Sequence, residues 1–359
     1  MQLIFFQNCI SPHQLPYIQQ LSEFDNVERV VYVAPVVTIS SREGMGWSSK
    51  VDDNNSIENI IAPSQSDVES LFKECEYNAY LFFSGITAFP DVEKWFKMSL
   101  DYHVKRAIIT EPPFVYSKPL WMHAFRFLLN DYRYIKYIDK LFLMGTDYLW
   151  YYKKWSKKWD VIPFRYCTKW VDRTKPIPSG NKIKLLFVGS LSKRKNVKLV
   201  IDAFKKIPKD KQQQLEFGII GSGEEELVLK NSVSGLETNV VFYGKMPMEK
   251  VSFMMQEYDI LILPSKHDGW GAVVNEALTL GLYVICSDKC GAKSLLSNSI
   301  LGKVFVSENS DDLAKTIEEI PPLFELRANT DQRIIWSKNN ISPSVVAQTL
   351  LSHLDKQET

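Results

Sequence analysis

Two carboxylates stand eight positions apart in the segment SKHDGWGAVVNEALTLG, residues 265–281. Asp268 precedes a Gly-Trp-Gly turn, and Glu276 follows that turn within a segment of helical character. Gly269 and Gly271 let the backbone pass close to a ligand, and a helical side chain leans back toward the N-terminus of its helix. We therefore expect both carboxylates to reach one polyhydroxylated ligand, each accepting hydrogen bonds from neighbouring hydroxyl groups.

A second segment, GSLSKRKN (residues 189–196), follows an apolar strand and opens a helix. Its backbone amides and Lys195 can face an anion, as can the amides that start the helix bearing Glu276. Acids for hydroxyl groups around a phosphate-binding centre indicate a nucleotide sugar. A plainer interpretation makes Lys195 a solvated lysine at a helix start, with Arg194 as an alternative phosphate ligand. Trp270 fits either a packing wedge or a stacking platform.

The elements that would position these groups alternate regularly after residue 182. Apolar strands separated by helices predict a parallel sheet covered on both faces, which is a doubly wound α/β domain. The first half predicts a second such sheet, whose strands are LIFFQ, RVVYVAP, AYLFFSG, RAIITEP and KLFLMG. Two doubly wound, Rossmann-like domains would enclose an interdomain cleft, where we expect ligands to bind.

The segment TKPIPSGNK, residues 174–182, contains two prolines and a glycine and predicts the linker. It gives an N-terminal domain over 1–173 and a C-terminal domain over 174–340. A break at Ser342 precedes a final amphipathic helix, 343–359, which is a candidate to complete the N-terminal domain.

Composition excludes several classes of protein. The 359 residues suit two domains, and a net charge of +1 gives no case for nucleic-acid binding. The five cysteines are scattered and odd in number, which favours reduced core thiols, and Cys286 and Cys290 lack a second pair that would complete a metal site. The first apolar run lacks a basic leader, and no segment has the roughly 20 apolar residues that span a bilayer. We expect a cytoplasmic protein.

The segments GSLSKRKN, GIIGSG, FYGK and PSKHDGWGAVVNEALTLG resemble the nucleotide-binding domain of retaining GT-B glycosyltransferases of family 4, also called glycosyltransferase group 1. The resemblance is strong over about residues 182–300 and topological before that. The family hallmark is an acid, seven residues and Glu, which here is Asp268 and Glu276. The resemblance implies that Glu276 holds ribose hydroxyls of the donor, Asp268 contacts its sugar hydroxyls and Lys195 neutralises the diphosphate.

Two positions depart from the family pattern. The first acid is usually Glu, and Asp268 is one methylene shorter. An Arg that commonly follows the first glycine of the loop is Ser190 here, and Arg194 or Lys193 can substitute for its charge. The donor-binding candidates are Glu276, Lys195, Arg194, Ser190, Gly189, Gly269, Trp270, Gly271, Gly244 and Lys245.

The N-terminal domain is expected to bind the acceptor. His13 follows the first strand, where it either contacts donor or acceptor or serves as a cap or turn residue. Glu111 lies where relatives often carry a His that touches the donor sugar, and it either replaces that His or acts on the acceptor hydroxyl. The candidate catalytic residues are thus Asp268, His13 and Glu111.

Residues 118–158 carry nine basic and three acidic side chains among many aromatic residues. Such a surface suits anionic membrane lipid and hence an acceptor on a lipid carrier. The alternative is an aromatic core helix whose lysines face water.

No Asp-x-Asp triplet occurs in the sequence, so a metal-bridged diphosphate has no ligand set and we expect neither metal nor cofactor. The leaving-group charge would fall on Lys195, neighbouring cations and backbone amides. We expect a retaining glycosyltransferase that moves a sugar from a nucleoside diphosphate donor, with a UDP-sugar favoured. Its acceptor would be a saccharide or a polyprenyl-linked saccharide in bacterial surface glycan synthesis. A sugar-nucleotide epimerase and a non-catalytic sugar-nucleotide-binding protein are the alternatives.

Overall fold

The computed structural model describes residues 1–39, 56–112, 132–147, 149–155 and 160–354, together with positions 121, 122, 125 and 129. The chain forms two compact units. Unit 1 comprises Met1–Lys169 and Ser342–Thr359, and unit 2 comprises Trp170–Ile341.

Unit 1 contains a sheet whose strands alternate with helices. Its elements are β1 (Gln2–Phe6), α1 (Leu15–Leu21), β2 (Arg29–Ala34), β3 (Glu58–Ile61), α2 (Gln65–Glu74), β4 (Ala79–Ser84), α3 (Pro90–Ser99), β5 (Lys105–Thr110), a 3₁₀ helix (Tyr132–Tyr137), β6 (Lys140–Met144), α4 (Leu149–Trp155) and β7 (Asp160–Phe164).

All seven strands are parallel, in the order β3-β2-β1-β4-β5-β6-β7. The chain winds outward from β1 in one direction and then returns to place β4 on its other side. That reversal is a topological switch point, and ligands of open α/β sheets bind beside it at the carboxyl ends of the strands. The two central strands are aromatic: Phe5 stacks on Phe82 with ring centroids 4.5 Å apart, and Phe6 stacks on Phe83 at 4.9 Å.

The last helix, α13 (Pro343–Leu354), belongs to unit 1, where it packs against α1. Its buried residues are Val346, Ala347, Leu350, Leu351 and Leu354. Unit 1 is therefore built from both ends of the described chain.

Unit 2 is contiguous in sequence and also alternates strands with helices. Its elements are β8 (Ile183–Val188), α5 (Lys198–Phe204), α6 (Lys209–Gln212), β9 (Leu215–Ile220), α7 (Glu226–Ser232), β10 (Asn239–Gly244), α8 (Met248–Met255), β11 (Ile260–Leu263), α9 (Val273–Thr279), β12 (Tyr283–Ser287), a 3₁₀ helix (Gly291–Leu295), β13 (Gly302–Phe305), α10 (Ser310–Glu318), α11 (Leu323–Ala328) and α12 (Thr330–Ile341).

The six strands of unit 2 are parallel, in the order β10-β9-β8-β11-β12-β13. Both units thus confirm the expected class of two doubly wound, Rossmann-like α/β sheets. Strands β3, β7 and β13 were not predicted. Strand β7 contains Pro163, which argues against a strand in the sequence. Proline is confined to edge strands, and β7 is an edge of its sheet.

Candidate functional site

The switch point of unit 2 lies between β8 and β11, which are neighbours in the sheet although two strands separate them in sequence. Their carboxyl ends lead into the loop 189–197 and the loop 264–272, so the topology places these loops side by side. They contain the basic triplet Lys193–Lys195 and the acid Asp268. The two segments that sequence reasoning singled out therefore form one site.

Lys195 and Asp268 form an ion pair between these loops. Both side chains are about seven-eighths buried. The Nη1 atom of Arg194 lies 3.6 Å from the other carboxylate oxygen and donates to the carbonyl of His267 at 3.0 Å. The Ser265 hydroxyl also donates to Asp268, at 3.3 Å. Three described groups therefore hold this carboxylate at the mouth of the sheet.

This environment sets the ionisation of Asp268. Burial opposes ionisation, but the charge and hydrogen bond of Lys195, aided by Arg194, outweigh it and hold the pKa of the carboxyl below its usual value. Burial and the charge of Arg194 lower the pKa of His267. At neutral pH the cluster contains two cations and one carboxylate, so it retains net positive charge for an anionic ligand.

Glycines let the loops of the site approach each other closely. A Cβ atom on Gly221 would lie 1.8 Å from the carbonyl oxygen of Gly189, and Gly221 has φ +139°. A Cβ on Gly271, where φ is +89°, would lie 2.7 Å from the Cys290 sulfur. Any larger residue at these positions would push the loops apart, because backbone and buried sulfur leave no space.

The Trp270 side chain lies in the interior, with 3% of its surface exposed. Its indole Nε1 donates to Asn275 Oδ1 at 2.7 Å, and its carbonyl accepts from the Cys290 thiol at 3.0 Å. The indole therefore packs within unit 2, as the wedge interpretation expects, and in this state offers no surface on which a base could stack. At this position only the backbone of Trp270 can contact a sugar-nucleotide donor.

Glu276 lies in the first turn of α9, and its side chain is half-buried. Its carboxylate has no hydrogen-bond or ion-pair partner among the described residues. Burial alone raises the pKa of Glu276 to about 7. An acceptor group that is desolvated but unpaired is suited to bind the hydroxyl groups of a ligand, and strongly perturbed carboxyls concentrate at functional sites.

Two arginines that sequence reasoning missed hold the far end of the same helix. Arg173 donates to the carbonyl of Leu280 at 2.7 Å, and Arg333 donates to that of Gly281 at 2.6 Å. Arg333 is 2% exposed and also bonds the carbonyls of Leu326 and Ile300 and the Thr330 hydroxyl. These cations satisfy carbonyls where α9 ends and fix the direction in which it presents Glu276. Arg173 and Arg333 lie about 100 residues before and 50 after this end, so no local pattern revealed them.

The remaining donor-side candidates lie in the same unit at different distances from the ion pair. The Ser190 hydroxyl is 3.4 Å from that of Ser192 in the loop after β8. The carbonyl of Gly244 accepts from the backbone amide of Gly221 at 2.8 Å, which connects the end of β10 to the loop that follows β9. Lys245 is exposed at the end of edge strand β10, two strands from β8, and no contact brings it to Lys195 or Asp268.

His13 and Glu111 belong to unit 1. His13 is half-buried in the loop after β1, where its amide bonds the Ser11 hydroxyl at 3.3 Å. Glu111 is exposed immediately after β5. Strand β4 separates β1 from β5, so the two residues follow strands roughly 10 Å apart. Their assignment as catalytic residues stays a prediction.

Two cysteines of unit 2, Cys286 and Cys290, are both buried and free. A hydrogen bond that the Cys286 thiol donates to Cys290, together with burial, raises the pKa of Cys286. Among the described residues no group of three or more metal-ligating side chains occurs.

The basic and aromatic segment 118–158 is described only in part; Lys118, Arg126, Lys157 and Lys158 lie outside the described residues. Trp121, Phe125 and Leu129 are spaced at helical intervals of four and are each more than half exposed. Tyr134, Tyr151 and Tyr152 of the same segment are buried in the core of unit 1. The segment therefore contains both exposed and buried aromatic residues, and binding to membrane lipid stays a prediction. Over the described residues, no helix has the length and apolarity to cross a membrane.

Two parallel, doubly wound units, one with a cationic cluster and an unpaired acid at its switch point, define the GT-B class of two-domain Rossmann-like proteins. Solved structures share this fold over nearly the whole chain. Anabaena Alr3699/HepE in complex with UDP matches 99% of this chain and 100% of its own, with a TM-score of 0.72 and 13% identity. The lipopolysaccharide outer core galactosyltransferase WaaB matches 99% of both chains, with a TM-score of 0.67 and 15% identity.

The family match falls almost entirely on unit 2. The family model for glycosyl transferases group 1 matches residues 168–335. An uncharacterized glycosyltransferase, MJ1069 of Methanocaldococcus jannaschii, is 27% identical over 58% of this chain and 56% of its own. The amylovoran biosynthesis glycosyltransferase AmsK of Erwinia amylovora is 30% identical over 33% of this chain and 31% of its own. The alignments thus span about half or less of these curated relatives. Residues 168–335 are thus similar to the group 1 glycosyltransferases, and the chain has a GT-B fold.

Proposed function

We propose that this protein is a glycosyltransferase that moves a sugar from a nucleoside diphosphate sugar to a saccharide acceptor. The observation that carries the proposal is the half-buried, unpaired carboxylate of Glu276 on the helix that follows the Lys195–Asp268 cluster. The Glu276 carboxylate can accept hydrogen bonds from the ribose hydroxyls of such a donor, and the cations of the cluster can bind its diphosphate. A UDP-sugar is the favoured donor, since the fold is shared with a protein solved in complex with UDP.

The charges of the site suggest a role for each residue. Lys195 and Arg194 neutralise the diphosphate, with help from backbone amides of the Gly269–Gly271 turn. Glu276 accepts hydrogen bonds from the ribose hydroxyls. Asp268 pairs with Lys195. A diphosphate that takes over Lys195 releases Asp268 to accept hydrogen bonds from the donor sugar.

We propose that transfer occurs without a metal ion and with retention of the anomeric configuration. The cations of the cluster take the place of a metal in stabilising the leaving diphosphate. The acceptor hydroxyl then attacks from the face that the diphosphate leaves. Chelator-resistant activity and a product with the donor's anomeric configuration, read by NMR, are the expected results; loss of activity with EDTA or an inverted product would contradict this mechanism.

The proposed acceptor rests on the named roles of two proteins to which this chain is similar. AmsK is named for amylovoran biosynthesis and WaaB for the lipopolysaccharide outer core. We therefore propose a saccharide or polyprenyl-linked saccharide acceptor in the synthesis of a bacterial surface glycan. Unit 1 supplies the acceptor site.

Calorimetric titration of UDP, GDP, ADP and CDP tests the donor site. We expect one of the four, UDP, to bind the wild type, and Glu276→Gln to weaken this binding at least tenfold, because the neutral amide loses a charge-assisted acceptor. Glu249→Gln is the matched control: Glu249 lies in the first turn of another helix of unit 2 and is exposed. Equal binding by the wild type and Glu276→Gln, or binding of none of the four, would refute the assigned site.

Turnover separates the three candidate functions. A glycosyltransferase releases UDP from a UDP-sugar in step with a glycoside product, whereas an epimerase interconverts sugar nucleotides without any acceptor. A binding protein releases no UDP. Incubation with a panel of UDP-sugars and saccharide acceptors, followed by mass spectrometry, distinguishes these outcomes.

We also propose peripheral binding to anionic membranes through the exposed aromatic and basic residues of segment 118–158. Trp121 is 69% exposed, and Lys153 and Lys154 are exposed on α4. Such side chains insert into and bind the headgroup region of anionic lipid. Flotation with vesicles containing phosphatidylglycerol at low salt should carry the protein upward. An absence of flotation, or equal flotation by Trp121→Ser, would refute it.

A further inference from the structure

The switch point of unit 1 contains polar groups that the site in unit 2 does not use. Strands β1 and β4 are neighbours, and their register pairs Leu3–Phe6 with Tyr80–Phe83. The next pair in this register is Gln7 beside Ser84. Four successive apolar pairs thus give way to one polar pair at the carboxyl end of the sheet.

Gln7 and Ser84 are both buried, with 1% and 8% of their surface exposed. The backbone amide of Gln7 donates to the carbonyl of Val33 at 2.9 Å, so Gln7 continues the sheet beyond β1. Ser84 is paired with Ile109 of β5. Residues directly opposite in parallel strands point to the same face and are about 5 Å apart. The two polar side chains therefore lie next to each other.

Neither polar group has a partner within the described part of the chain. The Gln7 Nε2 atom and the Ser84 Oγ atom are buried and accept or donate no hydrogen bond there. Buried polar groups in proteins are almost always paired, since an unpaired donor loses its water without compensation. Retaining two such groups side by side lowers stability, and a ligand that pairs them recovers the loss.

The surroundings place this pair beneath the carboxyl edge of the sheet of unit 1. The next residues along the chain, Asn8 and Gly85, are half-buried, so the pair lies one residue below the carboxyl edge. The loop after β1 is fixed: the Tyr32 hydroxyl donates to the carbonyl of Cys9 at 2.9 Å and accepts from the amide of Ser11 at 3.1 Å. The loop after β4 begins at Gly85, whose φ is +67°.

We propose that Gln7 and Ser84 form a subsite in unit 1 for a hydroxyl group of the saccharide acceptor. The inference rests on the proposed glycosyltransferase function. An amide nitrogen only donates, whereas a serine hydroxyl donates or accepts, so one sugar hydroxyl satisfies both by accepting from Gln7 and donating to Ser84. Both groups are neutral, and a phosphate or carboxylate here would lack compensating charge from them. The sugar can reach this pair only if the loop after β4 moves, because both polar atoms are buried.

The test compares Ser84→Ala and the double variant Gln7→Met with Ser84→Ala. Gln2→Met is the matched control, since Gln2 lies at the opposite end of β1 and its Oε1 atom is also buried without a partner. Saturation-transfer NMR with methyl glycosides of common hexoses, at saturating UDP, reports binding to unit 1. We expect the wild type and Gln2→Met to bind at least one glycoside and the double variant to bind it at least tenfold more weakly.

Thermal unfolding without ligand gives a second readout. A polar pair kept for a ligand destabilises the free protein, so both variants should melt about 2 °C or more above the wild type. A fall in melting temperature would show that the pair serves the fold and overturn the proposal. Equal glycoside binding by all variants, or none by the wild type, would also overturn it. UDP affinity should stay unchanged throughout; a wild type that binds no UDP would instead refute the proposed function.

Discussion

Neutralising Asp268 should strengthen the binding of UDP while abolishing transfer. Asp268 pairs with Lys195 and lies 3.6 Å from Arg194, so it competes with any anion for both cations. Asp268→Asn removes that competitor without changing the shape of the side chain. A substitution that removes an acid of the site and yet improves the affinity for UDP is the distinctive outcome of this arrangement.

The magnitude follows from the geometry. A phosphate oxygen that accepts from Lys195 on the side away from Asp268 would lie about 6 Å from the carboxylate, which is two hydrogen-bond lengths. Two unit charges at that distance repel by about 3 kcal/mol at an effective dielectric constant near 20, and by roughly half of that at physiological ionic strength. We therefore expect UDP to bind Asp268→Asn about tenfold more tightly than the wild type.

Transfer should move in the opposite direction. The variant lacks the acceptor that Asp268 offers to hydroxyl groups of the donor sugar, and we expect kcat to fall about 100-fold, as for loss of one transition-state contact. The free variant should also be less stable, because Lys195 is seven-eighths buried and loses its partner. Saturating UDP should restore that stability.

Calorimetry with UDP and initial-rate kinetics measure the two effects. Asp202→Asn is the matched control, since Asp202 pairs with Lys198 of the same unit on an exposed helix surface, and its UDP affinity should change by less than twofold. Unchanged or weaker binding of UDP by Asp268→Asn would refute the reasoning, because it would show that the carboxylate does not compete with the diphosphate.

Three further predictions concern stability. The folded-state pKa of Glu276 is about 7, above its usual 4.5, so the native state binds more protons than the unfolded state between these values. Stability should therefore fall as pH rises from about 4.5 to about 7. Glu276→Gln should make the melting temperature less dependent on pH over this range, and parallel curves for variant and wild type would contradict the assignment. Arg333→Met should destabilise by about 3 kcal/mol or more in urea titration, because buried carbonyls lose their donor, whereas Arg133→Met, at an exposed position, should change stability by less than about 0.5 kcal/mol. Gly221→Ala should be more destabilising than Gly235→Ala in the same titration and should also weaken UDP binding, since both glycines have positive φ but only the first meets a backbone oxygen at 1.8 Å; equal effects would exclude the steric explanation.

The sheets were predictable because their signal is local. Five strands of each unit are continuous apolar runs, and alternation with helices gives parallel order. Strands β3 and β13 have four residues each, too short for a periodicity to develop. Strand β7 contains Pro163, which argues against a strand unless it lies at an edge.

The site was predictable where its residues follow strands and unpredictable where partners come from afar. Asp268 and Lys195 come from loops at the ends of adjacent parallel strands, so topology alone brings them together. That they pair with each other in the unliganded protein was not expected, because the sequence gives charges and not distances. The Gln7–Ser84 pair shows the same limit: each polar residue ends an apolar run, but only the strand register shows that they are neighbours.

The return of α13 to unit 1 determines the order in which the two units can be completed during synthesis. Unit 2 ends at Ile341 and has all of its strands before α13 is made. Unit 1 begins first, yet its helix α1 stays uncovered until residues 343–354 leave the ribosome. The unit encoded first is therefore finished last, and its apolar α1 surface is exposed to chaperones or to aggregation throughout translation of unit 2.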